Sequence, residues 1–153
     1  MEPAFEKLLA LLADADVQFI VVGGVAVSLN GYVRLTEDVD ILMEPSAENV
    51  VRFLSAMSGY GEGFAGELSV GDFADEEGAI RIVEEVEQCQ VDVFTRMSGR
   101  HFADFIADAG TFRMGKRSIR YISRHHLIAL KEHSVREKDR LDVMALRRLE
   151  AEE

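Results

Sequence analysis

The sequence predicts an α+β fold: a small β-sheet covered by helices, with a helical C-terminal tail. Three observations predict it. Apolar residues at helical spacing alternate along the chain with short β-branched runs, the βα repeats are too few for a doubly wound sheet, and no period of about 20 to 50 residues recurs that would mark a solenoid or propeller. At 153 residues the chain fits one domain, 1–153, long enough to bury a core without disulfides or a structural metal.

Phe5, Leu8, Leu9 and Leu12 fall at i, i+3, i+4 and i+7, and Pro3 stands where a first helical turn tolerates it, so an amphipathic helix opens the chain. Phe19-Ile20-Val21-Val22 is a β-branched run ending in Gly23-Gly24, which reads as a buried strand and a turn. Val25 to Tyr32 reads as a helix with Val25, Ser28, Leu29 and Tyr32 on one face, in preference to the second arm of a Gly-Gly hairpin. Leu35 to Met43 is expected to be extended and to stop at Glu44-Pro45-Ser46. Ser46 then caps a helix carrying Val50, Phe53, Leu54 and Met57, which runs into a glycine-rich loop, Gly59 to Gly66.

Leu68 to Asp75 carries no decisive pattern. Ala79 to Glu84 and Gln90 to Thr95 cluster β-formers as adjacent strands do. Phe102, Phe105, Ile106 and Ala109 mark a further helix, and Phe112 to Ile122 a hairpin with Met114-Gly115-Lys116 at its tip. Ser123 to Leu149 reads as two helices with a break near Ser134 to Lys138.

Composition narrows the function classes. The longest apolar run, Phe19 to Leu29, falls short of the roughly 20 residues of a membrane-spanning helix and contains two glycines, so no membrane partner is expected. Met1 to Asp16 is acidic and lacks a secretory signal pattern, from which a cytoplasmic location is expected. The single cysteine, Cys89, offers neither a disulfide nor a soft-metal site and is expected to be a small half-buried residue. A formal net charge of -11 excludes non-specific nucleic-acid binding over the whole surface. The charge is nonetheless segregated: Arg113 to Arg148 holds 11 Lys and Arg against 4 Asp and Glu, whereas residues 1–112 hold 6 against 21. That split fits either mutual packing of the two parts or a phosphate-binding role.

The informative stretch is Arg34-Leu35-Thr36-Glu37-Asp38-Val39-Asp40-Ile41-Leu42-Met43. In a strand, Arg34, Thr36, Asp38 and Asp40 share one face and Leu35, Val39, Ile41 and Met43 the other. Two carboxylates roughly 6 to 7 Å apart along a strand raise each other's proton affinity unless a cation intervenes. Mg²⁺ is the cation held by one or two carboxylates together with waters and substrate phosphates. A second apolar run, Val91-Asp92-Val93-Phe94, carries a lone acid that is costly to bury without a partner. If the two strands are neighbours, three carboxylates converge, enough for two metals clamping a phosphoryl or nucleotidyl transfer. Gly23-Gly24 adds backbone N–H groups open to a phosphate at a helix start.

These residues resemble the polymerase-beta-like nucleotidyltransferase superfamily, especially its small bacterial members, including those of abortive-infection and toxin-antitoxin systems. The resemblance lies in Phe19-Ile-Val-Val-Gly-Gly-Val-Ala-Val-Ser-Leu-Asn-Gly, Arg34-x-Thr-x-Asp-Val-Asp-Ile-Leu and Val91-Asp-Val-Phe, and extends less specifically to Lys131, Arg136, Lys138, Asp139 and Asp142. It implies a mixed central sheet with flanking helices, with Gly23 and Gly24 bordering a nucleoside triphosphate. Asp38 and Asp40 would hold Mg²⁺ or Mn²⁺, and Asp92 would bind the catalytic metal or take the proton of an acceptor hydroxyl. Arg34, Thr36 and Lys131 join the glycines as expected nucleotide-binding residues. In many relatives a serine follows the first glycine; here Gly24 stands instead.

The implied reaction moves a nucleoside monophosphate to a hydroxyl of a protein, a transfer RNA or a small molecule such as an aminoglycoside or lincosamide. The alternative is a catalytically degenerate fold acting as a binding partner or antitoxin, with a partner protein in place of an acceptor. An Asp-x-Asp glycosyltransferase needs a larger nucleotide-sugar domain than this chain offers.

Blander readings stand beside these. Arg34 could contact phosphate or neutralise Asp38. Lys131 could reach the nucleotide or be a solvated surface residue. Arg136, Lys138, Asp139 and Asp142 are read as i, i+3 and i, i+4 ion pairs along one helix. His125, His126 and His133 lack a clear ligand spacing with a third group, so zinc is not expected.

Overall fold

In a computed structural model describing residues 1–153, six helices flank one six-stranded mixed sheet. Helix α1 (Pro3–Asp14) buries Phe5, Leu8, Leu9 and Leu12, the four residues whose spacing predicts it, and starts at Pro3 without a side-chain cap. Strand β1 (Phe19–Val22) is buried on both faces and runs directly into α2 (Gly23–Leu29). Strand β2 (Val39–Met43) precedes α3 (Ala47–Met57), whose first turn is capped by Ser46 Oγ accepting the Asn49 N–H at 3.2 Å. Strands β3 (Ala79–Glu84) and β4 (Cys89–Phe94) form an antiparallel hairpin.

Helix α4 (Phe102–Phe105) is a single turn that passes into a 3₁₀ turn, Ile106–Asp108. Strands β5 (Gly110–Met114) and β6 (Arg117–Tyr121) make the expected hairpin, turning at Gly115-Lys116 with Gly115 at φ +63°. Helices α5 (Arg124–Lys131) and α6 (Glu137–Ala151) form the tail. No helix is long and apolar enough to cross a membrane.

The strand order is β3-β4-β2-β1-β6-β5. β1 is antiparallel to β2 and parallel to β6, and β2 is parallel to β4. The centre of the sheet is therefore built from β4, β2 and β1, the three strands that carry the sequence motifs. Their pairing fixes which residues face which way, because a one-residue slip would carry Asp40 or Asp92 to the other face of the sheet. The glycine-rich loop is held by Glu84: its buried carboxylate accepts the N–H of Glu62 at 2.8 Å and of Phe64 at 3.1 Å.

Three expectations require correction. The extended stretch shortens from Leu35–Met43 to Val39–Met43, because β1 and β4 pair only with residues 39 to 43 and no strand pairs with the chain before them. Leu35, expected on the same strand face as Val39, is 90% exposed, whereas Val39 is buried. Cys89 is buried rather than half-buried.

Candidate active site

The register aligns one row of residues across the sheet. Asp40 on β2 is opposite Asp92 on β4, Asp92 is opposite Arg81 on β3, and Asp40 is opposite Val22, the last residue of β1. Residues in register on neighbouring strands point to the same side, so Asp40 and Asp92 stand side by side. Asp38, two residues earlier, joins them from just ahead of the strand. Carboxylate oxygens of all three lie within 4.8 Å of one another.

Three negative charges at that spacing are costly. At an effective dielectric of about 20, each pair repels by about 3–4 kcal/mol. Burial first, then the charges of Asp38 and Asp92, push the Asp40 carboxyl up to about 7 from its ordinary value of 3.8. Burial and the neighbouring Asp92 charge raise Asp38 as well. Part of the charge is offset within the protein: Arg81 donates from Nε to Asp92 Oδ1 at 2.9 Å and from an Nη to Oδ2 at 3.1 Å, and Gln90 donates to Asp38 Oδ2 at 3.1 Å. The oxygen-only donor set, close-packed and under-neutralised, fits a hard divalent cation such as Mg²⁺ or Mn²⁺.

The glycine pair is shaped by this cluster. Gly23 has φ +65°, and a Cβ there would overlap Asp40 Oδ2. At Gly24 a Cβ would come within 2.7 Å of Thr36 Cγ2 and 3.1 Å of the Arg34 guanidinium. The volume that a side chain at position 24 would need is taken by Thr36 and Arg34, which accounts for glycine there. Gly23→Ala is expected to destabilise the fold by about 2–5 kcal/mol, combining a left-handed alanine with an overpacked contact. Urea denaturation at constant m-value measures the loss.

A cleft of about 210 Å³ opens over the carboxylates, lined by Gly23, Gly24, Arg34, Thr36, Asp38, Asp40, Asp92 and Lys131, all eight of the sequence-selected residues. Arg81, Arg136, Lys138 and Asp139 also line it. Arg34 and Thr36 arrive on an irregular segment rather than a strand, and Arg34 does not neutralise Asp38. It donates instead from Nε and an Nη to the two oxygens of Asp142 at 2.7 and 2.8 Å. Lys131 is not a solvated surface residue: it reaches Asp139 at 2.7 Å and Asp142 at 3.2 Å. The expected ion pairs along the α6 helix are likewise replaced, because Asp139 and Asp142 turn inward to cations on α5 and the Arg34 segment. Arg136 and Lys138 are left facing the cleft, where the basic tail meets the acidic cluster.

Arg81 escaped the sequence reading. Its signal was present: a hairpin closing through Glu85 to Gln88 sets Arg81 opposite Asp92. A second, more apolar hollow of about 390 Å³ adjoins the cleft, shares Arg34 and Thr36 with it, and is lined further by Phe5, Val25, Leu29 and Val33.

A mixed sheet thus carries a Gly-Gly strand-to-helix turn beside three acids, Asp40 and Asp92 on adjacent strands and Asp38 just ahead of β2. In sequence, residues 2–153 match the family described as nucleotidyl transferase of unknown function (DUF2204), and the chain belongs to that family. In structure, it is similar to the lincomycin-bound crystal structure of the lincosamide antibiotic adenylyltransferase LnuA, with a TM-score of 0.66 and 18% identity over 97% of this chain and 98% of that one. No curated protein matches it in sequence.

Proposed function

We propose that this chain transfers a nucleoside monophosphate from a nucleoside triphosphate to a hydroxyl of a small molecule, with Mg²⁺ or Mn²⁺ held by Asp38, Asp40 and Asp92. The observation that carries the reading is the Asp40–Asp92 register pair, which with Asp38 brings three carboxylates together beside the Gly23-Gly24 turn. A divalent cation bound there supplies charge neutralisation for the triphosphate and acidifies the attacking hydroxyl.

The chain's own groups have separate tasks. The Gly23-Gly24 backbone lets the triphosphate approach the start of α2, and Lys131, Arg136 and Lys138 offset its charge from the opposite wall. Asp92 accepts the proton of the acceptor hydroxyl or shares in holding the metal. The attacked α-phosphorus forms a new P–O bond to the acceptor while its bond to the bridging oxygen breaks and pyrophosphate leaves.

A small-molecule acceptor is favoured over a protein or transfer RNA by the apolar hollow beside the cleft. Its volume, about 390 Å³, falls in the range of small-ligand pockets. LnuA, similar in fold over nearly its whole length, is an adenylyltransferase of lincosamide antibiotics. The degenerate alternative, a binding partner or antitoxin, requires that the carboxylates be dispensable.

The test is incubation with each α-labelled triphosphate, Mg²⁺ and a panel of hydroxylated small molecules, protein and transfer RNA. Label is expected on a small product, with at least about a 10³-fold loss in Asp38→Asn. Label transferred equally by wild type and variant would overturn the mechanism, and label on RNA or protein would overturn the acceptor class.

A further inference from the structure

A second cluster of ligating side chains lies at the other end of α5 from Lys131. The Nε2 atoms of His125 and His126 stand 3.0 and 3.2 Å from one oxygen, Asp108 Oδ2, and the three ligand atoms lie within 4.8 Å of one another. Adjacent residues on a helix point about 100° apart, so two neighbouring imidazoles do not meet by default. Here they converge because both lean toward Asp108, which ends the 3₁₀ turn following α4.

Each imidazole is held from behind. The His126 ring packs edge-on against buried Phe105, with centroids 4.9 Å apart at 80°. His125 Nδ1 is 3.2 Å from Ser123 Oγ, which leaves its Nε2 for another partner. The Ser123 contact is of the kind that fixes the tautomer of a ligating histidine, and the Phe105 contact restrains the orientation of the His126 ring.

We propose that His125, His126 and Asp108 form a binding site for a borderline divalent transition metal, Zn²⁺ foremost. A tetrahedral ion about 2.0–2.1 Å from each ligand requires ligand atoms about 3.3–3.4 Å apart, within a few tenths of an ångström of the two histidine–Asp108 spacings. Two imidazoles and one carboxylate are a donor set for Zn²⁺, Co²⁺ or Ni²⁺ rather than for Mg²⁺, so the site differs in kind from the all-oxygen trio. Asp108 and His125 also line a hollow of about 310 Å³ together with Tyr121, Ser123 and Glu150, which leaves room for water or a ligand beside them.

Two features oppose a cation here, the N-terminal end of α5 and the Arg124 guanidinium. Asp108, in direct contact, carries a full charge against the partial charge of the helix end. Arg124 is paired with Glu153 at 2.7 Å. An ion bound at the site ties the turn after α4 to the helix whose last residue, Lys131, lines the carboxylate cleft.

The test is Zn²⁺ titration by competition with a chromophoric chelator, together with the visible spectrum of the Co²⁺ form, on full-length protein without a histidine tag. One equivalent is expected in the wild type and in Asp40→Asn, with affinity falling at least tenfold in Asp108→Asn and His125→Ala. His125 is exposed, so His125→Ala is expected to keep the wild-type circular dichroism spectrum. Co²⁺ is expected to give the intense bands of a tetrahedral site, lost in both variants. Zn²⁺ affinity weaker than about 100 µM, unchanged in those two variants, or abolished by Asp40→Asn overturns the proposal.

Discussion

Replacing Asp40 by asparagine is expected to abolish nucleotidyl transfer and, in the metal-free protein, to raise stability by about 2–4 kcal/mol at pH 8. Both effects come from one arrangement. The Asp40 carboxyl is buried between Asp38 and Asp92, which lifts it from 3.8 to about 7, so above pH 7 the folded chain carries an ionised group it would hold more cheaply as a neutral one. Between these two values the folded state binds a proton that the unfolded state has lost. The wild type is therefore most favoured below about pH 4 and loses that contribution as pH rises to about 7. The asparagine variant has no such slope at this position. Its advantage is full above pH 7 and shrinks toward pH 4, and saturating Mg²⁺ removes it by stabilising only the wild type. Denaturation curves at pH 5 and pH 8, each with and without Mg²⁺, measure all four corners. Equal stability of the two proteins at pH 8 without metal would mean that the carboxylates do not strain one another.

Much of this site is legible in the sequence because its parts are local. An apolar run broken by a single acid, as in Val91-Asp92-Val93, announces a carboxylate whose flanking residues must be buried, and Asp-x-Asp beside Val39 and Ile41 announces two more on one side. The Gly-Gly turn follows from the β-branched run before it. The partners of Arg34 are not local. Arg34 and Asp142 are joined across 108 residues, and no periodicity on α6 distinguishes an aspartate pairing along the helix from one turned inward. Alternation likewise predicted a strand back to Leu35, but a strand needs a neighbour to accept its backbone hydrogen bonds, and the sheet ends before Asp38. The meeting of His125 and His126 with Asp108 depends on where α4 stops, a packing outcome hidden from spacing alone.

That remote pair leads to the second large effect. Asp142→Asn is expected to destabilise the protein by about 3–5 kcal/mol, the usual consequence of removing one partner of a buried ion pair. Asp142 is fully buried, and both its oxygens receive the Arg34 fork. Lys131 keeps Asp139 at 2.7 Å when Asp142 loses its charge, so the damage falls on Arg34. Apolar burial does little to hold the segment carrying Arg34: Val33 and Leu35 on either side are exposed, and its backbone is otherwise met by Ser28 Oγ, which accepts the Arg34 N–H at 3.4 Å. The ion pair thus fastens the Arg34 segment to α6, and with it Thr36 against Gly24 and the approach to Asp38. A double-mutant cycle of Arg34→Met and Asp142→Leu separates this role from simple overpacking, because the coupling between partners survives when the packing terms cancel. Coupling of about 2–4 kcal/mol is expected, together with a raised KM for the triphosphate in Asp142→Asn at unchanged metal affinity. Coupling below about 0.5 kcal/mol would assign the order of the Arg34 segment to some other contact, and the tail helix would then be packing material rather than one wall of the site.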